Sequence, residues 1–260
     1  MSSGLVVINL DRSVDRLAHV RAQLDAHGLT FHRLAATDAR TLSVAERNHF
    51  YSESLNRARY HKPLSTGEIA CYISHIRAWQ LVMAGPWDYA VILEDDVRLG
   101  ANFTHTLAQI SRLPSDWDVI KLGSISRKPI IKKQTLPGGL SLCAYAKVPI
   151  CTHAQAISRR GATKLLTHAM PFGRPVDVNL QYTWESDTVV FGLEPYCTHV
   201  TDELESEIGK FTGRESPTKS HVRFYLNRAR FIRHALPSNI RRHGLAATLK
   251  VALFGGQLHP

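Results

Sequence analysis

Short apolar runs alternate with longer amphipathic segments in the N-terminal part of the chain. The run LVVINL at residues 5–10 is rich in β-branched side chains and predicts a buried strand. Apolar residues from Val14 to Leu24 then recur at helical spacing, and FHRLAA at residues 31–36 predicts a second strand. A strand, a helix and a strand at this spacing predict a right-handed βαβ unit.

A second helix and a central strand follow. In LSTGEIACYISHIRAWQLVMAG, Ser65 and Glu68 form a capping box at the start of a helix, and Gly85 signals its end. The run YAVILEDDV at residues 89–97 is apolar for too long to be an edge strand, so we expect it inside the sheet with both faces covered.

The whole pattern predicts an α/β fold in which an open sheet carries helices on both faces. Further strands are predicted at residues 117–124, 140–148 and 154–158, and a further helix at residues 159–170. We predict one domain over residues 1–215 and a basic, helical C-terminal segment over residues 216–260, with Pro217 near the boundary.

The composition is that of a soluble globular chain of 260 residues, with 44% hydrophobic and 21% charged residues. It contains no window of eighteen apolar residues, and its first residues lack the basic and apolar regions of a signal peptide. The four cysteines show no paired spacing, which argues against a zinc knuckle or a disulfide framework. We therefore expect a cytoplasmic location, where thiols stay reduced.

The net charge of +10 is concentrated towards the C-terminus. From Lys219 onward, basic residues alternate with apolar ones such as Phe224 and Ile232 and meet hardly any acidic residue. This pattern is typical of a basic amphipathic helix that lies peripherally on an anionic membrane surface. A solvated basic tail explains it equally well, and we expect no nucleic acid partner because no recognisable binding module accompanies the segment.

Three consecutive carboxylates, Glu94, Asp95 and Asp96, close the predicted central strand. Open α/β sheets bind ligands beyond the carboxyl ends of their strands. Alternation along a strand would place Glu94 and Asp96 on one side and Asp95 on the other. Two carboxylates on one side suit a Mg²⁺ or Mn²⁺ ion that completes its shell with substrate phosphates. The alternative is a solvated turn that is neutralised by Arg98.

A phosphatase motif of the haloacid-dehalogenase type is a second interpretation of these carboxylates. It requires an aspartate nucleophile at the position where this chain has Glu94. A Mg²⁺-dependent phosphotransferase nevertheless stays an alternative function, and a basic RNA-binding or membrane-binding module is a non-enzymatic one.

Glu68, Cys71 and His75 form one stripe on the helix that precedes the central strand. The stripe ends just before the acidic residues begin, so it is a second candidate part of a site. A capping role for Glu68 and a satisfied, buried His75 explain the same stripe without a ligand.

Together these motifs resemble glycosyltransferase family 25, which is typified by bacterial lipooligosaccharide galactosyltransferases and is distantly related to collagen galactosyltransferases. The resemblance rests on VVINLDRSVDR, AATDAR, LSTGEIACYISHIRAW, AVILEDDV, DVIKLG, AISRRGATKLL, RPVD and a late ESEI, in this order across residues 5–208. The chain departs from the family pattern at Ala70, where the family usually has glycine, and at Gln155, where it usually has tyrosine.

The resemblance implies a GT-A-like fold, a UDP-sugar donor that is commonly UDP-galactose, and Mn²⁺ or Mg²⁺ as the cofactor. It also implies inverting transfer onto a saccharide or lipid-linked saccharide acceptor of lipopolysaccharide type. The implied metal ligands are Glu94 and Asp96, with His199 as a third. The implied donor-binding residues are Asn9, Arg12, Arg16, Asp38, Glu68, His75 and Asp95.

An inverting transfer needs a base that deprotonates the acceptor hydroxyl. The candidates are Asp177 in RPVDVNL, and Glu185 and Asp187 in TWESD. Asp177 is our choice because it matches the family motif, although an aspartate there also suits a helix cap.

Overall fold

The computed structural model describes residues 1–126, 128–200 and 220–254. Its strands are β1 (Ser3–Asn9), β2 (His32–Ala35), β3 (Tyr89–Glu94), β4 (Val97–Leu99), β5 (Val119–Lys121), β6 (Ile130–Thr135), β7 (Ser141–Tyr145), β8 (Ala154–Ser158), β9 (Val190–Glu194) and β10 (Thr198–Val200). Its helices are α1 (Val14–Ala26), α2 (Val44–Phe50), α3 (Glu53–Arg59), α4 (Thr66–Ala84), α5 (Phe103–Ile110), α6 (Arg159–Thr167), α7 (Val176–Asn179), α8 (Thr183–Ser186), α9 (His221–His243) and α10 (Leu245–Phe254).

Eight of these strands form one mixed sheet in the order β2-β1-β3-β8-β5-β9-β7-β6. β1 runs parallel to β2 and to β3, so β1, α1 and β2 form the predicted βαβ unit. β8 runs antiparallel to both of its neighbours, β3 and β5. β3 therefore lies inside the sheet, as its continuous apolar run predicts, and β2 and β6 are the open edges.

Helices cover both faces of the sheet, and the alternation of side chains along β1 shows how. Leu5 and Val7 pack into a core with residues of α1 and α5. Val6 and Ile8 point the other way and pack into a second core with residues of α4 and α6. The predicted α/β architecture, with helices on both faces of an open sheet, is confirmed.

Helix α4 begins at the predicted capping box. The Ser65 side chain accepts a hydrogen bond from the Glu68 backbone N–H, and the Glu68 carboxylate accepts one from the Ser65 N–H. Glu68 also pairs with Lys62 at 3.0 Å. The capping role is therefore a sufficient explanation for the presence of Glu68. His75 lies on the buried face of α4, next to the end of β3.

The predicted strand YAVILEDDV is interrupted in the structure. β3 ends at Glu94, Asp95 and Asp96 form a turn, and the chain resumes as β4. β4 pairs antiparallel with β10, which places His199 opposite Arg98 in a small second sheet. The predicted alternation of the three carboxylates about one strand axis is therefore wrong, because the turn releases Asp95 and Asp96 from strand geometry.

The C-terminal helices pack against the body of the protein. The ring of Phe231 in α9 contacts Tyr182 and Trp184, with centroid distances of 5.3 and 5.0 Å. Asn239 donates a 2.9 Å hydrogen bond to the carbonyl oxygen of Ala146. One face of α9 is thus fixed in place by apolar and polar contacts.

The boundary predicted near Pro217 lies outside the described residues, as does the ESEI motif. The division into residues 1–215 and 216–260 therefore stays a prediction. Among the helices of the described ranges, none combines the length and the apolar character needed to cross a bilayer.

Candidate active site

A cleft opens at the edge of the sheet where the parallel strands β1 and β3 end. It lies between the start of α1, the segment after β2, and α4. Its polar and ionisable lining residues are Arg12, Arg16, Thr37, Cys71, Ser74, His75, Glu94, Asp95 and Asp96. The carboxyl ends of strands in an open α/β sheet are where ligands bind, so the three carboxylates and two arginines share the expected place.

Glu94 is held at the end of β3 by two neighbouring side chains. Its Oε1 atom lies 3.1 Å from Nε2 of His75 and accepts a 2.6 Å hydrogen bond from Oγ1 of Thr152. Burial raises the pKa of Glu94, but these hydrogen bonds and the nearby imidazoles outweigh it, so the pKa falls to about 2. Glu94 is therefore a fixed anion, and the predicted donor-binding residue His75 acts by positioning it.

Asp95 is bound by residues that the sequence assigns to the donor. Nδ2 of Asn9 donates to Asp95 Oδ2 at 2.6 Å, and Arg16 lies 3.4 Å from Oδ1. Nδ2 of Asn9 also donates to the Ser13 carbonyl, and Oδ1 of Asn9 accepts a 2.9 Å hydrogen bond from Arg33. Asn9 and Asp95 thus hold each other in place, and their contacts with nucleotide, ribose or sugar stay predictions.

Asp96 lines the cleft and has a carboxylate oxygen that the described part of the chain leaves unsatisfied. Its Oδ1 atom is buried and has no hydrogen-bond partner there. Burial, followed by the charges of Glu94 and Asp95, raises the pKa of Asp96 to about 7. A buried, unpaired carboxylate beside two others is destabilising unless a cation compensates it. The site therefore fits a divalent metal, with Asp96 as its best-placed ligand.

Metal affinity should follow the ionisation of Asp96. Because a metal binds the ionised carboxylate, we expect Mn²⁺ affinity to fall about tenfold for each pH unit below about 7 and to level off above it. Calorimetric titrations across this range measure the effect. An affinity that stays constant as the pH falls well below 7 would show that Asp96 is not a ligand.

Arg12 and Arg16 give the cleft a cationic side next to the carboxylates. Arg12 forms an ion pair with Asp38, which also accepts a hydrogen bond from Arg40 at 3.0 Å. Arg16 is oriented by Asp95. Guanidinium groups held in this way match the oxygens of a phosphate or diphosphate, so the predicted donor-binding residue Asp38 acts through Arg12.

Asp177 lies next to the acidic cluster on a separate segment of the chain. Its Oδ2 accepts a 3.3 Å hydrogen bond from the backbone N–H of Cys151. The next residue, Thr152, binds Glu94, which places Asp177 near the acidic cluster. Burial and then the charges of Glu94, Asp177 and Asp96 raise the pKa of the Cys71 thiol well above its usual range. The N-cap residue of α7 is Pro175, but the Asp177 carboxylate accepts a 2.7 Å hydrogen bond from the Val178 N–H in the first turn, so the capping alternative stays open.

Sequence reasoning missed a buried lysine that contacts Cys151, the residue that binds Asp177. Lys121 is 1% exposed, its amine donates to the Cys151 carbonyl, and burial lowers its pKa. Cys151 has a φ of 88°, unusual for a non-glycine residue, and its Sγ lies 2.7 Å from Nδ1 of His153. The lysine inside the strand-forming run DVIKLG was the available signal, since a buried amine requires polar partners.

Glu185 and Asp187, the other predicted bases, are engaged elsewhere. Glu185 forms a two-bond ion pair with Arg174, at 2.8 and 3.0 Å. Asp187 pairs with Lys164, which also holds Asp118 just before β5. Because β5 runs parallel to β3, Asp187 lies at the edge of the sheet opposite to the cleft. Both side chains are thus held in ion pairs, and their catalytic assignments stay predictions.

One compact group of potential metal ligands occurs in the described ranges. Ligand atoms of Cys71, His75 and Glu94 all lie within 4.8 Å of one another. The predicted third ligand, His199, is exposed on β10 and is not part of this group. A metal ion therefore has two candidate sites: one with carboxylate oxygen ligands at Asp96, and a mixed one that includes the Cys71 thiol.

Cobalt substitution should decide whether Cys71 binds the metal. We expect Co²⁺ to bind without sulfur-to-metal charge-transfer absorption, because burial and nearby carboxylates keep the Cys71 thiol protonated while Asp96 offers a hard oxygen. The Cys71→Ser variant should bind Mn²⁺ within about twofold of the wild type. Strong near-ultraviolet absorption that vanishes in Cys71→Ser would instead assign the metal to the mixed site.

The chain is similar in sequence to several characterised proteins. Procollagen galactosyltransferase 2 of Mus musculus is 28% identical over 224 residues, which cover 76% of this chain and 36% of that protein. Inactive glycosyltransferase 25 family member 3 of Mus musculus is 30% identical over 229 residues, which cover 76% of this chain and 37% of that protein. The chain thus spans little more than a third of the length of these relatives.

Similarity to solved structures is low. A mutant Drosophila galactosyltransferase in complex with manganese, UDP-Gal and xylobiose has a TM-score of 0.38 and 9% identity, covering 84% of this chain and 83% of that one. A glycosyltransferase involved in glycosylation of the major capsid of PBCV-1 has a TM-score of 0.33 and 8% identity, covering 74% and 93%. The family model for glycosyltransferase family 25 (LPS biosynthesis protein) matches residues 3–180, which include the cleft, and this chain therefore belongs to that family.

Proposed function

We propose that this protein is a metal-dependent glycosyltransferase that moves galactose from UDP-galactose to a saccharide acceptor. One observation carries the proposal: Asp96, whose buried Oδ1 atom has no hydrogen-bond partner among the described residues, lines the same cleft as Arg12 and Arg16. A divalent cation at Asp96 and two guanidinium groups complement the two phosphates of a nucleotide sugar. The relatives named as procollagen galactosyltransferases support galactose as the sugar.

Different residues of the cleft would bind different parts of the metal-bound donor. Asp96 would hold Mn²⁺ or Mg²⁺ with Glu94 as its partner, since His75 and Thr152 fix Glu94 at the end of β3. When bound, the metal neutralises negative charge on the departing UDP. His75 contributes by keeping the Glu94 carboxylate in place, as partners of metal ligands commonly do.

Asp177 is the proposed base. An inverting transfer needs a carboxylate that removes the proton of the acceptor hydroxyl. The backbone N–H groups of Cys151 and Val178 orient the Asp177 carboxylate at 3.3 and 2.7 Å. Because Asp177 comes from a different segment than the metal-binding residues, the chain can hold the acceptor and the donor with separate parts.

The proposed acceptor is a saccharide of lipopolysaccharide or lipooligosaccharide type, reached at the cytoplasmic face of a membrane. The description of the matching family as LPS biosynthesis proteins supports this choice. The basic C-terminal helices support a location at an anionic membrane surface.

A transfer assay with UDP-galactose, Mn²⁺ and a lipooligosaccharide acceptor tests the function. We expect UDP release that depends on the acceptor, together with a product that is one hexose heavier by mass spectrometry. UDP-glucose and UDP-N-acetylglucosamine are the donor controls. Phosphate release from p-nitrophenyl phosphate, with no turnover of any nucleotide sugar, would contradict the proposal in favour of a Mg²⁺-dependent phosphotransferase.

A further inference from the structure

Helix α9 has one face that packs on the protein and an opposite face that is apolar but exposed. The packed face is anchored by Phe231, by the buried residues Ala235 and Ser238, and by Arg242, which pairs with Asp187 at 3.0 Å. Because these contacts hold the helix along its length, its outward face is a preformed surface.

The outward face carries a continuous apolar stripe. Its members are Val222, Tyr225, Leu226, Ile232 and Leu236, which are 71%, 64%, 63%, 52% and 36% exposed. Their spacing places them on one side of an α-helix, and a helix of 23 residues is about 35 Å long. Eight of the fourteen large hydrophobic side chains that are exposed in the described ranges lie on α9 and α10. Such concentration on one surface marks an interaction site.

Basic residues border the apolar stripe. Residues 220–254 contain six arginines, one lysine and no acidic residue. Arg228, Arg233 and Arg241 are exposed on or beside the stripe. The surface therefore combines apolar contact with a uniformly positive rim.

We infer that this face of α9, together with the exposed Leu245 and Leu249 of α10, docks on a lipid bilayer that contains anionic headgroups. Apolar side chains enter the boundary between headgroups and acyl chains, and arginines pair with the phosphates, so a bilayer satisfies both features at once. A second copy of the chain would bring like charges together without a single acidic partner in this segment. Nucleic acid would pair with the arginines but leave the apolar stripe in water.

The docked helix also lies beside the site. The N-terminal half of α9 contacts the end of α3 and the segment after it, since Arg230 donates to the Ala58 carbonyl and Phe224 packs on His61. The adjacent Tyr60 has its pKa raised by burial and then by the charges of Glu68 and Asp177. Phe231 of α9 also contacts Tyr182, which follows α7, so a bilayer on the outer face of α9 would lie near the segment that carries Asp177. This orientation, unlike the docking surface itself, depends on the proposed function.

Vesicle flotation with the full chain tests the inference. We expect binding to phosphatidylglycerol–phosphatidylethanolamine vesicles at least about tenfold tighter than to phosphatidylcholine vesicles. The Leu226→Glu/Ile232→Glu variant should lose at least about tenfold in affinity for the anionic vesicles. Val44→Glu/Met83→Glu is the matched control, because Val44 and Met83 are 72% and 41% exposed on the body and adding two charges there should leave binding unchanged.

Several results would overturn the inference. The inference fails if the wild type binds neutral and anionic vesicles equally, or binds neither. It also fails if Leu226→Glu/Ile232→Glu binds anionic vesicles as tightly as the wild type does. If the wild type were a dimer and this variant a monomer, the exposed face of α9 would serve self-association. If the wild type bound RNA and the variant still did, the arginines would serve nucleic acid binding. Thermal unfolding checks that the variant folds. If it does not, Tyr225→Trp replaces it: indole fluorescence that fails to shift on anionic vesicles would overturn the inference.

Discussion

The Asp96→Asn variant should lose sugar transfer almost completely while its metal-free fold becomes more stable. Removing the carboxylate removes the unpaired ligand oxygen, so we expect kcat/KM to fall by at least about 100-fold. In the metal-free wild type, the pKa of Asp96 in the folded protein is about 7, against an ordinary value of 3.8. The contribution of Asp96 to the free energy of unfolding is therefore fully present below pH 3.8 and is lost as the pH rises through about 7. Removing the charge should therefore stabilise the variant at slightly alkaline pH by roughly 1–3 kcal/mol.

Turnover in the transfer assay and thermal unfolding with a chelator present measure these two effects on the same preparations. Asp116→Asn is the matched control, since Asp116 is an exposed carboxylate on the amino side of β5, away from the cleft. It should change neither quantity. If Asp96→Asn transferred sugar at the wild-type rate, Asp96 would not be a metal ligand. If its Tm were lower than that of the wild type, other groups of the protein would compensate the Asp96 charge.

The Asp177→Asn variant should bind UDP normally and transfer sugar slowly. Loss of a positioned base typically lowers kcat by about 10²–10⁴-fold, and asparagine keeps an oxygen that can accept a hydrogen bond from Cys151 or Val178. Steady-state kinetics in the transfer assay give kcat, and calorimetry with Mn²⁺ gives the affinity for UDP.

Asp187→Asn is the matched control for this second variant, because Asp187 lies at the opposite edge of the sheet and pairs with Lys164 and Arg242. We expect it to keep kcat within about threefold of the wild type. Equal losses of UDP affinity and kcat in Asp177→Asn would mean that Asp177 supports the structure of the site and is not the base. A larger loss of kcat in Asp187→Asn would reverse the assignment.

The parts of the fold that local signals specify were predictable from the sequence. The β-branched run of β1, the capping box at Ser65 and the uniformly apolar run before Glu94 each act within a few residues, so each leaves a readable pattern. The pairing of β4 with β10 left no readable pattern in the sequence, because it joins residues about a hundred positions apart. That pairing sets the turn at Asp95 and Asp96 and with it the direction of both carboxylates.

Several residues singled out from the sequence meet in the cleft, but their side-chain partners were not predictable. Asn9 and Asp95 read as ligand contacts in the sequence, yet each satisfies the other in the structure. Thr152, which fixes Glu94, sits in a segment without any motif. The ion pair between Glu185 and Arg174 likewise follows from tertiary packing alone, because neither residue reveals its partner in sequence.

Calorimetry of UDP binding to the wild type and to Asp96→Asn, with and without Mn²⁺, shows whether a metal at Asp96 holds the nucleotide. We predict micromolar binding by the wild type that needs Mn²⁺, and its loss in Asp96→Asn, since the metal at Asp96 would join the diphosphate to the protein. Binding of UDP that is equally tight without Mn²⁺ or without the Asp96 carboxylate would contradict a metal site there. No binding of UDP under any condition would contradict the nucleotide-sugar site as a whole.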